Sequence, residues 1–180
     1  MLVYKKGDLL QAKENLICHQ VNENGVMGGG LALQIAKKYP DVERAYINFC
    51  KVAPSPLDLL GDSQPFQYEP GKWIVNCFTQ QNFTTRLDLI RGVFHHLLYI
   101  CKLLNYSIAI PYKYGCGIAK GKWEEVSKVF EELSNEYGID ISVYQMEEQW
   151  QKKHGNLLMT DIKYLIMEIL EKIIIIKLKI

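Results

Sequence analysis

The sequence has almost no net charge. Its 21 Lys and Arg against 20 Asp and Glu leave +1 over 180 residues. That is too little excess for a broad nucleic-acid surface or for capture on an anionic membrane. A disulfide framework is also missing. The five cysteines (Cys18, Cys50, Cys77, Cys101, Cys116) are odd in number and sit mostly inside apolar runs, and no pair has CxxC or zinc-ligand spacing. They read as reduced core thiols, with no metal site expected. No secretion signal is legible, because Lys5 and Lys6 arrive before an apolar stretch develops, and the expected location is cytoplasmic. HExxH, GxSxG and Walker patterns are absent, which removes the commonest metalloprotease, serine-hydrolase and P-loop readings. His95 and His96 are neighbours on a helical stretch and so face different directions, which disfavours a metal pair. What is present suits one soluble domain with a sizeable core: 48% hydrophobic and 23% charged residues.

The most informative stretch is residues 22–32. Four glycines (Gly25, Gly28, Gly29, Gly30) lie between an apolar run, Leu16 to Cys18, and a helical pattern over 31–39. Glycine lets another group approach the backbone, and the first N–H groups of a helix lack internal partners and carry partial positive charge. A strand-to-helix turn of this composition suits a phosphate, although such turns also occur with no ligand.

Taken in order, Leu2 to Tyr4 reads as a strand, and Gly7–Leu10 as a turn or short helix with Asp8 as its N-cap. Residues 15–20 form a strand buried on both faces. After the first helix, Pro40 interrupts and 41–50 restarts as a second helix. Residues 52–70 hold four prolines and read as loop, with a strand near 57–60. A strand is expected over 73–78, no periodic element over 80–86, and the longest helix over 87–105. Strand 107–111, a second glycine loop at Tyr114-Gly115-Cys116-Gly117-Ile118-Ala119, helix 123–137 and strand 139–144 complete the alternation. Alternating strands and helices imply an α/β sheet covered on both faces. Two glycine loops after strand ends place a ligand on one sheet edge. Beyond residue 147 the character changes: 148–156 is a polar linker, and 157–180 an apolar amphipathic helix. Six charged residues from Lys163 to Lys179 argue against a membrane span there. Docking on the body, self-association through the stripe, or, least favoured, a membrane-surface helix are the readings for that helix.

Three pieces in this order carry a family resemblance: Lys6-Gly7-Asp8-Leu9-Leu10; Ile17-Cys18-His19-Gln20-Val21-Asn22 leading into Gly25 to Ala32; and Ile110-Pro111, Tyr114 to Ile118, then Trp123. Over residues 1–145 the chain resembles the macrodomain family of ADP-ribose-binding modules. It looks most like the subfamily that removes ADP-ribose from acidic side chains. The resemblance implies a three-layer α/β/α fold with a mixed sheet over 1–147, no cofactor, and ADP-ribose or an ADP-ribosylated protein as partner. It implies that Asp8, with Leu9 beside it, meets the adenine amine. Val26, Met27, Gly28, Gly29 and Gly30 would bring backbone donors to the diphosphate. Tyr114, Gly115, Cys116, Gly117 and Ile118 would close from the other side. Asn22 would face the distal ribose, unless it caps its own loop.

The same resemblance implies a catalytic Lys after the middle strand and an Asp after the second loop. Those places hold Gln80 and Ala119, so that pair is absent. The remaining catalytic candidates are His19, as acid or base or else as a structural histidine, and Asn22. Lys113 and Lys120 flank the second loop as phosphate partners or solvated lysines. Cys116 is either a lowered-pKa thiol or a small residue that fits. Phe78 and Phe83 are candidates to flank a ring, with Phe78 better suited to the core. Three functions stay open: hydrolase of ADP-ribose derivatives, non-catalytic reader, and nucleotide binder unrelated to ADP-ribose. Substrate-assisted hydrolysis would need neither missing side chain.

Overall fold

The structure is a computed structural model and describes residues 1–146; the expected linker 148–156 and helix 157–180 lie outside the described residues. Period-two alternation on the strands and 3.6-residue spacing on the helices dictate the architecture. On β2 (Leu16–Gln20), Leu16 and Cys18 face one side of the sheet and Ile17 the other, all buried. On β4 (Lys72–Cys77), Val75 and Cys77 join the first side and Ile74 the second. The first side packs on α3 (Leu87–Leu104) and α4 (Trp123–Tyr137), whose Ile90, Phe94, Leu98, Val126 and Phe130 are completely buried. The second packs on α1 (Gly30–Lys38) and α2 (Pro40–Val52) through Ile35, Val42 and Tyr46. Two cores around one sheet make the three layers the resemblance implied.

With β1 (Leu2–Lys6), β3 (Ser63–Glu69), β7 (Ile108–Pro111) and β8 (Ile141–Gln145), the six-stranded order is β1-β8-β7-β2-β4-β3. Every neighbouring pair is parallel except β3 with β4. The sheet is therefore mixed, and five strands end at the same edge. Helices α3 and α4 stop where left-handed residues, Asn105 and Gly138, cap them.

The proline-rich stretch differs from expectation. Residues 57–60 do not form a strand: Pro56–Leu59 is a single 3-10 turn capped by Ser55. The strand lies just beyond, at β3, and includes Pro65 opposite Val75. An edge strand tolerates proline where its missing N–H would face solvent. The non-periodic stretch 80–86 also carries structure, a two-residue-per-strand hairpin of β5 (Gln80–Gln81) and β6 (Thr84–Thr85).

Candidate functional site

Because β1, β7, β2 and β4 are parallel, their following segments share one edge. Read along the sheet order, these are the Asp8 turn after β1, the second glycine loop after β7, the first glycine loop after β2, and the β5–β6 hairpin after β4.

At one end, Asp8 caps the short 3-10 turn Leu9–Gln11, its Oδ1 accepting the Leu10 N–H at 2.8 Å. That leaves its second carboxylate oxygen without a bonded donor among the described residues. Leu9 is buried, its side chain part of the core.

The first glycine loop is built by Asn22. Its Oδ1 accepts from the Asn24 N–H at 2.8 Å and from the Tyr46 hydroxyl at 3.0 Å, and its Nδ2 donates to the Val26 carbonyl at 2.5 Å. The amide is thus engaged in folding its own loop, the alternative to facing a ribose. Val26 is exposed, while the Met27 side chain is core and leaves only backbone for a ligand. Gly30 opens α1 at φ 58°, and no side chain caps that helix. The N–H groups of Gly28, Gly29 and Gly30 have no acceptor among the described residues, the pattern an anion needs at a helix start.

The second loop turns at Gly115 (φ +70°). A Cβ there would sit 2.8 Å from Thr85 Oγ1 and 2.9 Å from Gln20 Oε1, so no other residue fits. The Cys116 N–H is engaged with the Lys113 carbonyl at 2.9 Å, whereas those of Gly115, Gly117 and Ile118 have no acceptor among the described residues. Cys116 therefore differs from expectation as a backbone donor. Its thiol is also not activated, because burial pushes its pKa up. Tyr114 is core, its hydroxyl 2.9 Å from Thr79 Oγ1. Ala119 is buried and lends its carbonyl to the Thr85 N–H at 2.9 Å.

His19 is enclosed in the sheet, 1% exposed. It opposes Asn76 on β4, which opposes Gln64 on β3. Asn76 Nδ2 donates to Gln64 Oε1 at 2.9 Å, so Asn76 Oδ1 is the acceptor for His19 Nε2–H at 2.6 Å. Burial pushes the imidazole pKa down to about 4, against the Asn76 bond, which favours the charged form. His19 is neutral at pH 7 and belongs to a buried polar row on the α1/α2 face. The expectation of a catalytic acid or base at His19 gives way to the structural alternative. Phe78 is likewise core, stacked between Tyr46 and Phe49 with centroids 5.9 and 5.8 Å away.

Two features went unread in the sequence. Glu23, 4% exposed, accepts the Asn82 N–H at 3.0 Å on Oε1, while its buried Oε2 has no partner among the described residues. Asn82 and Phe83 form the hairpin turn with φ 48° and 57°, and Phe83 is 55% exposed. Asn at the first turn position was the one local signal for it. Among the described residues no group of His, Cys, Asp and Glu is arranged to hold a metal ion. No described helix is long and apolar enough to cross a membrane.

No protein-family model matches the chain. It is 33% identical to the ADP-ribose 1''-phosphate phosphatase of Saccharomyces cerevisiae, covering 81% of this chain and 98% of that protein. It is similar to the macrodomain of Mycobacterium tuberculosis DarG, with a TM-score of 0.67 and 29% identity over 80% of this chain and 97% of that one. The chain belongs to the macrodomain family. This macrodomain is also 30% identical to the DNA ADP-ribosyl glycohydrolase of M. tuberculosis over 80% of its own length, but spans only 42% of that relative.

Proposed function

We propose that this macrodomain binds ADP-ribose across the strand ends and hydrolyses the bond between its distal ribose and an acceptor. The carrying observation is the pair of loops after neighbouring strands β2 and β7. Both present backbone N–H groups without acceptors among the described residues, at Gly28 to Gly30 and at Gly115, Gly117 and Ile118. Fixed backbone donors suit a diphosphate, since little freedom is lost on binding. Asp8, at the end of β1 on the same edge, would accept from the adenine amine. The relatives' names support the same ligand: they share ADP-ribose and differ in what it is attached to.

Neither His19 nor Asn22 is available as a dedicated acid or base in this reading. A water held by the ligand's own phosphate and the loop backbone performs the attack. One observation favours a second reading, a reader without turnover: the positions expected to hold a catalytic Lys and Asp carry a buried Gln80 amide and a buried Ala119 methyl. Neither moves a proton. We place the protein in the cytoplasm, in keeping with its five free cysteines.

Calorimetry with ADP-ribose, ATP and NAD tests the ligand. ADP-ribose is expected to bind with the strongest heat, and none at millimolar ADP-ribose defeats both readings. Release of ADP-ribose from an ADP-ribosylated substrate, or of phosphate from ADP-ribose 1''-phosphate, then separates enzyme from reader.

A further inference from the structure

We propose that the open edge of β1 is a docking surface for this chain's own residues 157–180, with 157–171 as a helix beside α4 and 173–180 as a seventh strand on β1. The inference is independent of the ADP-ribose reading and starts from the two outer strands of the sheet. β3 is blunted as an edge by Pro65 and by a register shift between Gln67 and Glu69. β1 keeps an unbroken register with β8 from Leu2 to Lys6 and contains no proline. The Met1 carbonyl accepts the Ile141 N–H at 3.0 Å, and the Gly7 N–H donates to the Gln145 carbonyl at 2.9 Å. Bonding residues alternate along a strand. The odd-numbered residues of β1 therefore bond β8, and Leu2, Tyr4 and Lys6 turn their N–H and C=O groups to the open edge.

Beside that edge lies an aromatic row. Leu2 packs on the core under α3 and α4. Tyr4, two residues on, shares that side of the strand and is 53% exposed. It stands edge-to-face with Tyr112 at 6.4 Å, and Tyr112 meets Trp123 of α4 at 5.2 Å.

Length, direction and pattern favour residues 157–180 as the occupant. The chain leaves β8 at Gln145, whose register partner is Lys6 of β1. Helix α4 carries it from β7 to β8 across the side packed by Phe94 and Phe130. A step from β8 to beyond β1 continues in the same direction along the sheet. A right-handed crossover then lies on that same side, over Leu2 and Tyr4. Residues 147–171 exceed the roughly one dozen that a parallel crossover needs. Within them Ile162, Leu165, Ile166 and Ile169 recur at helical spacing. From Ile173 the pattern becomes a β-branched run, in which Ile174, Ile176, Leu178 and Ile180 alternate onto one face. The order is a helix stripe for the Tyr4 ring, then a strand for the Tyr4 backbone.

Amide hydrogen exchange of the full chain, read by NMR, tests this. Val3 and Lys5 face β8 and should stay slow in every variant, which verifies folding. The Tyr4 and Lys6 amides are expected to exchange on the order of tenfold or more slower than unpaired amides. Alternate residues of 173–180 would face β1, so at least one of Ile174→Pro and Ile175→Pro should release Tyr4 and Lys6. Ile174→Val should leave them slow. Free exchange of Tyr4 and Lys6 in the wild type overturns the proposal, as does protection that survives both prolines. Protection that rises with protein concentration, together with a dimer in sedimentation, also overturns it, because a second copy then holds the edge.

Discussion

A buried neutral imidazole makes folding sensitive to acid. His19 titrates at about 4 in the folded protein and near 6.5 when unfolded. Below 6.5 the unfolded chain takes up a proton that the folded one refuses. Stability therefore falls as the pH drops from 6.5 to 4 and levels off below, by up to about 3 kcal/mol from this residue. Urea unfolding across that range should show a smaller drop in His19→Gln, which keeps a donor for Asn76. If the variant loses as much as the wild type, His19 is not the cause. At Gly115 the limit is space. Gly115→Ala places a methyl against Thr85 and Gln20 at a φ of +70°, and the second loop must move. A loss of about 1–3 kcal/mol in stability, with weaker ADP-ribose binding, is expected by thermal melts and calorimetry.

Among the elements, the hairpin gives a direct test of stability. Its turn asks for glycine at the second position and has Phe83 instead. Phe83→Gly should raise stability by roughly 0.5–1 kcal/mol through relief of the left-handed strain, measured by urea midpoint. A destabilised variant would mean that Phe83 is held by packing rather than against its preference. The elements also divide by legibility. Helices α3 and α4 were readable because each has a full apolar stripe and an αL cap residue. Strand β3 was not, because Pro65 and its neighbours read as loop while an edge strand accepts them. The hairpin was not, because two residues are too few for a period. At the site, the glycine loops were legible as backbone devices. The place of His19 was not, because its partners Asn76 and Gln64 come from strands far away in sequence.

For the molecule as a whole, all four ligand-edge segments lie within residues 1–146. A chain ending at residue 146 is expected to fold and to bind ADP-ribose as the full chain does, by calorimetry and circular dichroism; loss of binding would assign the remaining residues a part in the site. Parallel order brings the four segments to one edge without a side chain in common, so one end of that edge can diverge while the other is kept.

The row His19, Asn76 and Gln64 has a consequence for assembly. Side chains alternate sides along a strand, so a one-residue slip of β4 would turn Asn76 toward the apolar side packed by Phe94 and Leu98 and strand its amide there. The correct alignment is the one in which three polar groups from three strands meet in single file. The row acts as an index mark: the sheet that holds the loops can close in only one register, and the spacing of the ligand edge is set before any ligand arrives.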